Sequence, residues 1–488
     1  MGEMKKFFGL LFVLLMLLAT TGHQNVHAAT DDSLARIQKK GTLVMGNSPN
    51  YPPYEFQVNQ NGKSEIVGMD ISIGKQISKD LGVKLVVKKM SFDSMLVALE
   101  TGKVDMILSG FSPTAARKKH VDFTDSYYVS KQYIIINKTD KGLYKNKNSF
   151  SGKKVGAVVG TIPYDLVKEQ MPGAKLVGME NAADLVLALK AHKIDGLVKD
   201  SASALAYASS DPGLTTINGK FEVSGDEAGN AIALPKGSTS LTLAINQSIK
   251  NIQQKDLINK QYLPEAGKLM NTNTANTSMW HYWSYFAKGV GYTVGISLVA
   301  VIIGVLLGAG LALIRIGHTK VWHALATAYV EFIRGTPLMV QVMFIYFGIG
   351  MFYDISAVVA GTLAVGLNSA AYVSEVFRSG IESVPVGQKE AARSLGLSTK
   401  QTMQSVIFPQ AIVTIWPALG NEFISLIKET SIVSIIGVAD LIYQLRIVQA
   451  DTYKGVLPIV VAMVLYFILT FGLSRVLQHF EHKFNHAN

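Results

Sequence analysis

The chain contains no cysteine. That absence excludes a disulfide framework, thiolate metal sites, cysteine catalysis and a lipid-modified N-terminal cysteine. Histidine is scarce where a hydrolytic or metal centre would need it. In the soluble half only His120 and His192 follow the N-terminal signal region, and no His-Glu-x-x-His pair occurs. No nucleophile–base constellation stands out, so neither catalysis nor a metal site is expected. No Gly-x-x-x-x-Gly-Lys-Ser/Thr loop is present, so the chain is not expected to be an ATPase. Nor is there a Thr-Val-Gly-Tyr-Gly-like filter, which weighs against a ligand-gated channel.

What is there divides unevenly. Of 488 residues 49% are hydrophobic, but from about Lys39 to Gly267 the apolar segments are short and interrupted by charge. From Val290 onward apolar runs of about twenty residues appear, the length needed to cross a bilayer. A soluble half followed by a membrane half is the expected organisation. The net charge of +11 does not point to nucleic acid, because many basic residues flank the apolar runs, among them Arg315, Lys320, Arg475 and Lys483. At the N-terminus Lys5 and Lys6 precede the run Phe7 to Leu18, with Val26-His27-Ala28 as a small-residue cleavage site. This reads as a signal peptide over 1–28, since the run is short for a true span.

The soluble half, about 30–268, alternates strand and helix signals. Asp70 is placed to cap a helix with the stripe Ile73, Ile77 and Leu81, ended by Gly82. A strand follows at Val83 to Val87, a helix at Phe92 to Leu99 and a buried strand at Val104 to Leu108. A second set runs through strands near Lys154 to Val159, Lys175 to Val177 and Gly196 to Val198, with helices between. Such alternation implies parallel sheets covered by helices. Apolar runs at Tyr133 to Ile136 and Ala231 to Leu234 are the expected crossing strands of an α/β clamshell, with lobes at 39–136 plus 231–263 and at 137–230. The polar stretch Asn271 to Ser278 reads as a linker within 269–284. Trp280, Tyr282, Trp283 and Tyr285 after it suit a membrane interface and lipid contact. An all-α membrane domain over 285–488 is expected, with five spans near 290–314, 336–353, 355–377, 412–438 and 456–474. An odd number puts the C-terminus opposite the soluble domain, with the basic loops inside.

Ligands of open parallel sheets sit beyond the carboxyl ends of strands. Three such ends carry polar groups: Ser109-Gly110-Phe111-Ser112 with Arg117, then Gly160-Thr161, then Asp200. An arginine fork matches a carboxylate and an aspartate accepts from an ammonium, so this pair on opposite lobes describes a site for a free α-amino acid.

These residues also carry a resemblance. Tyr51-Pro-Pro-Tyr-Glu-Phe56, Val67-Gly-Met-Asp70, Asp105 to Ser112 with Arg117, and Val121-Asp-Phe-Thr-Asp125 resemble the polar amino-acid-binding proteins of ABC importers. The resemblance implies that Tyr51 covers the ligand while Ser109, Gly110 and Ser112 bind its backbone groups. It implies that Arg117 holds the carboxylate, that Thr161 and Ile162 contribute from the second lobe, and that Asp200 takes the amino group. Two positions depart from that pattern. Ser48 stands where several basic amino-acid binders carry an aspartate, and Met69 stands where many carry an aromatic. The first weakens a cationic ligand, and the second would soften one wall or simply pack. A polar uncharged ligand such as glutamine or asparagine is preferred, with basic or acidic ones as alternatives.

In the membrane half, Gly387-Gln-Lys-Glu-Ala-Ala-Arg-Ser-Leu-Gly396 precedes a Ser398/Gln401 capping box and Pro409. This resembles the coupling loop of ABC-importer permeases, here Glu390, Ala391, Ala392 and Gly396 with Pro409, over 387–409. Arg334-Gly-Thr-Pro337, Tyr372 with Glu375 and Arg378, and Lys428-Glu-Thr-Ser431 look like polar amino-acid permeases. Glu422 and Lys428 stand out as charges at membrane depth. The resemblance implies a separate cytoplasmic ABC ATPase that carries ATP and magnesium, no cofactor in this chain, and a paired permease, most simply a homodimer.

Overall fold

The computed structural model describes residues 31–60, 63–180, 182–223, 229–274, 278–317, 319–353, 355–452 and 456–485. The expected signal peptide over 1–28 lies outside the described residues.

Two five-stranded sheets form the clamshell. The first runs in the order Lys84–Lys89, Thr42–Asn47, Met106–Ile107, Ala233–Pro235, Val121–Phe123. Its first three strands are parallel, and the returning strand Ala233–Pro235 is antiparallel to its neighbours. The second runs Lys175–Met179, Lys154–Val158, Gly196–Asp200, Gln132–Asn137, Leu214–Asn218. The strand Gln132–Asn137 enters it antiparallel, pairing Gln132 with Asp200. The chain therefore crosses before Gln132 rather than after Asn137, because the apolar run Tyr133 to Ile136 is core to the second lobe. A two-strand ribbon of Tyr128–Val129 and Gly229–Asn230 joins the lobes at the crossing.

The helix expected after Asp70 begins two residues earlier, at Met69, with Gly68 as its N-cap. Asp70 does not cap it but is fully buried in its first turn. Gly68 has φ 127°, and a Cβ there would collide with the Tyr54 carbonyl. Gly82 ends the helix at φ 71° with open space around it. The polar stretch expected as linker starts as helix, since Leu263–Thr274 is continuous.

The second half is helical. Trp283–Ile316, Ala357–Glu382 and Val456–His479 are long and apolar enough to cross a membrane. Two bent pairs, Lys320–Gly335 with Leu338–Met351 and Thr399–Ile436 with Leu441–Gln449, raise the number to five if each is one span. The expected span at 336–353 is thus one limb of a pair bent by 108°, broken at Thr336-Pro337 where proline cannot continue the helix. Trp280 and Trp283 are exposed, whereas Tyr282 and Tyr285 pack inward against Phe286 and Leu441.

Clamshell and helices share one apolar cluster, in which Met90, Met95 and Leu99 pack with Ile345, Tyr346, Val433 and Ile436. The Ser91 amide and the Ser94 hydroxyl both donate to the Ile435 carbonyl, at 3.4 and 3.1 Å. Gly437, at φ 84°, lets that turn approach the Lys89 backbone, where a Cβ would clash.

The two positive-φ glycines of the Met69–Asp80 region separate strain from collision. Gly82→Ala is expected to cost about 1 kcal/mol, the ordinary penalty for a left-handed residue. Gly68→Val must also displace the Tyr54 backbone and is expected to cost well above that. Melting followed by circular dichroism checks it, and equal shifts for the two variants would contradict the packing described.

Candidate functional site

The cleft lies between the carboxyl ends of the two sheets, and the residues picked from the sequence mostly converge on it. Ser48, Tyr51, Ser109, Gly110, Ser112 and Arg117 line it from the first lobe. Thr161, Ile162 and Asp200 line it from the second. Met69 does not: it is fully buried in the first lobe's core with Met45, Ile73 and Tyr54. Its helix position turns the side chain inward, so it is packing rather than cleft wall.

Arg117 sits on the short helix Ala115–Lys118, capped by the Thr114 hydroxyl. Its guanidinium lies 3.9 Å from the Phe111 ring centroid and donates to the carbonyls of Ser112 and, across the cleft, Gly160, each at 2.9 Å. Burial lowers it to about 10, which leaves it charged at neutral pH. Thr161 precedes the helix Ile162–Gln170, whose N-terminus faces the cleft, and its hydroxyl donates back to Val158. Asp200 ends its strand and caps the helix Ser201–Ser210 by accepting from the Ser203 amide. It also accepts from the hydroxyls of Tyr51 and Tyr54 in the opposite lobe. The lobes are thus bridged twice, by arginine to carbonyl and by tyrosines to carboxylate.

Two glycine-loop residues do a different task from the one expected. The Gly110 amide donates to Asp70 at 2.7 Å, and the Ser109 hydroxyl donates to Glu55 at 2.7 Å while accepting from the Ser48 amide. Their donors hold the cleft floor, while the Ser112 carbonyl accepts from Arg117 and its hydroxyl bonds Asn230. Gly110 has φ 55°, and a Cβ would press the Tyr51 ring at 3.2 Å. The Ser48 hydroxyl bonds Asn50.

Under that floor lies a carboxyl pair. Glu55 and Asp70 are both fully buried, and one oxygen of each, Oε2 and Oδ1, has no donor. Acceptor-only atoms cannot satisfy one another, but a single proton between them satisfies both. Burial and then the Asp70 charge push Glu55 well above the usual carboxylate range, so Glu55 holds the proton. Asp70 is raised to about 6, by burial against the amide of Gly110 and the hydroxyl of Tyr127.

Sequence reasoning missed Lys199 and Gln132. Lys199 is 2% exposed, lines the cleft and lies 3.9 Å from the Tyr51 ring centroid, with Asp200 and Glu55 nearby. Burial lowers its ammonium to about 8. Gln132 lies beside Asp200 across the strand pair, and its Oε1 is buried without a donor. A charge in the middle of Gly196–Asp200 was the available signal for Lys199, since lysine inside a buried strand is rare.

At the far end of the helices, the permease-like motifs meet at Glu375. Arg315 bonds it at 2.7 Å, Arg334 approaches to 3.9 Å, and Arg378 pairs with it from the same helix. Next to this cluster Val386–Ser394 and Thr399–Thr402 form the helix–turn–helix, with Gly396 at φ 83° and the Ser398/Gln401 capping box closed. Glu390, Ala391 and Leu395 are exposed, and Ala392 is buried. Glu422 is half-buried and Lys428 exposed.

Fold and site together define a solute-binding clamshell joined to a membrane permease. A model of bacterial extracellular solute-binding proteins, family 3, matches residues 43–265, and one of binding-protein-dependent transport system inner membrane components matches 300–486. The permease half is 39% identical over 201 residues to the putative glutamine transport system permease protein GlnP of Rickettsia bellii, covering 41% of this chain and 92% of that one. It is 37% identical, with the same coverage, to the arginine transport system permease protein ArtQ of Bacillus subtilis. The clamshell is 34% identical over 226 residues to the arginine-binding extracellular protein ArtP of Bacillus subtilis, covering 45% of this chain and 84% of that one. The chain belongs to the inner-membrane components of polar amino-acid ABC importers, with the solute-binding domain fused to the permease.

The carboxyl pair makes a pH prediction. A folded-state pKa raised above the unfolded value contributes stability that is full below the unfolded pKa and lost as pH rises through the folded one. Melting temperature should therefore carry a falling component that begins near the ordinary carboxylate pKa of about 4 and runs through the raised Asp70 value of about 6. Glu55→Gln supplies amide hydrogens to Asp70 at every pH and should flatten that component. Parallel pH profiles for parent and variant would contradict a shared proton.

Proposed function

We propose that the chain captures a polar, uncharged amino acid outside the cell, of the glutamine or asparagine class, and passes it inward through its own spans. The observation that carries this is the pairing of Arg117 and Asp200 across one cleft from opposite lobes. Each is held by a bond across the cleft: Arg117 to the Gly160 carbonyl, Asp200 to the Tyr51 and Tyr54 hydroxyls. An α-carboxylate supplies a better partner to the first and an α-ammonium to the second, since charge-assisted bonds are roughly twice as strong. The neutral stand-ins give way, and the ligand becomes the bridge.

Side-chain selectivity follows from Lys199 and Ser48. A cationic side chain would enter a cleft that already holds the Lys199 ammonium and lacks an aspartate at Ser48. A carboxamide meets no such repulsion, and its NH2 suits the vacant Oε1 of Gln132. The relatives named for glutamine transport support this choice, and those named for arginine mark the alternative.

Transport itself is driven by a separate ATPase subunit that carries ATP and magnesium, docked on Glu390 to Gly396, with this chain pairing as a homodimer in the lipid bilayer. The exposed Val386 and Leu395 beside the turn suit such a protein contact. The C-terminus and this loop then share the cytoplasmic side.

Titration of the full chain in nanodiscs tests capture. Arg117→Ala or Asp200→Ala should weaken glutamine binding by about 2–5 kcal/mol, roughly thirty-fold to several thousand-fold. Lys199→Met should raise arginine affinity at least about tenfold relative to glutamine. Near-parental affinity in both alanine variants would overturn the site, and unchanged selectivity in the third would overturn the substrate class.

Coupling is tested separately. Gly396→Val forces a β-branched residue to φ 83° and should distort the turn between the two short helices. Glutamine affinity should stay normal while glutamine-stimulated phosphate release by the reconstituted complex falls. A complex that hydrolyses ATP at the parental rate would make this turn an ordinary hairpin.

A further inference from the structure

The two lobes meet the permease in different ways. The first lobe is held at one permease turn: the Ser91 amide and the Ser94 hydroxyl bond the Ile435 carbonyl, and Gly437 seats against the Lys89 strand. It is also anchored by Lys103, which is 5% exposed, donates to the Tyr353 carbonyl at 3.5 Å and faces the Tyr346 ring at 5.5 Å. The second lobe reaches the permease through its Ala182–Lys190 helix, packed on Leu441–Thr452. That permease helix lies across the cleft mouth, since it also packs on Asn50–Tyr51 and Glu55–Gln60 of the first lobe.

Its Arg446 is half-buried and lines the same cavity as the amino-acid site. Asp93 of the first lobe and Glu180 of the second line the same cavity. Asp184 lies on the packed second-lobe helix. Glu180 and Asp184 are neighbours on the second lobe, and Asp93 of the first joins them only when the lobes are together. Burial and then Glu180 raise Asp93. Burial raises Asp184, Arg446 opposes that rise and Glu180 adds to it. Convergence of three like charges disfavours closure, and a cation placed among them offsets it.

We infer that Arg446 is a closure sensor: the permease fixes the first lobe at the Ile435 turn and holds the second in its closed position through the Arg446 guanidinium set against Asp184, Glu180 and Asp93. Opening of the second lobe withdraws Asp184 and Glu180 and leaves Arg446 facing the emptied cleft mouth. The permease thereby distinguishes closed from open with one side chain. This holds for any amino acid the cleft takes, so it does not depend on the glutamine-class reading.

The test uses the full chain in nanodiscs. The chain has no cysteine, so Cys introduced at the exposed Lys79 and Lys168 takes spin labels on the first and second lobes alone. Inter-lobe distances are measured without amino acid. The parent should show a closed population. Arg446→Gln should move at least about half of it to a longer distance. Asp184→Asn should relieve repulsion and lose attraction together, so that Arg446→Gln in that background has a markedly smaller effect than in the parent. An unchanged distribution in Arg446→Gln, or effects that simply add in the double variant, would overturn the inference. Glutamine added afterwards reports on the functional reading by itself: a parent that ignores glutamine contradicts that reading without touching the ligand-free result.

Discussion

Asp200 is 5% exposed and sits at the junction of the two lobes, and a carboxylate so placed must be paired. Three donors meet that demand: its own helix through Ser203, and Tyr51 and Tyr54 from the other lobe. The need to satisfy this one anion therefore ties together the cap of Ser201–Ser210, the loop after Thr42–Asn47 and the closed geometry of the cleft. Arg117 repeats the logic with opposite charge, donating across to Gly160. A ligand that carries both an anion and a cation on one carbon can replace both bridges at once. That is why the arrangement suits an α-amino acid better than a sugar or a simple ion.

Much of this is legible in the residues, and the parts that are not share a cause. Strand–helix alternation, the αL turn at Gly396 and the Ser398/Gln401 box are local, and local chemistry decides them. The convergence of Arg117 with Asp200 is also visible, because both follow carboxyl ends of strands. Asp70 looked like a cap because aspartate before an apolar stripe usually is one. It is drawn inside instead by the Gly110 amide and the Tyr127 hydroxyl, more than thirty positions away. Met69 gives no sign in its own segment of facing the core rather than the cleft. Lys199 is hidden because its neighbours, Tyr51 and Tyr207, come from two other segments. Packing between distant segments overrides the local signal in each case.

The permease half extends the same physics. Its motif residues Arg334, Glu375 and Arg378 are separated in sequence yet share one ion cluster with Arg315, beside the turn proposed to meet the ATPase. At the other end the Leu441–Thr452 helix closes the mouth of the cleft.

The central claim is that an amino acid held in the clamshell is carried inward by this chain at the expense of ATP. The most direct measurement is accumulation of radiolabelled glutamine in proteoliposomes that hold the chain with an ABC ATPase and enclose ATP and magnesium, the clamshell of the active fraction facing out. The account predicts concentration of glutamine inside against its gradient, abolished when ATP is replaced by a non-hydrolysable analogue. Equilibration without ATP, or an ionic current gated by glutamine, would contradict it.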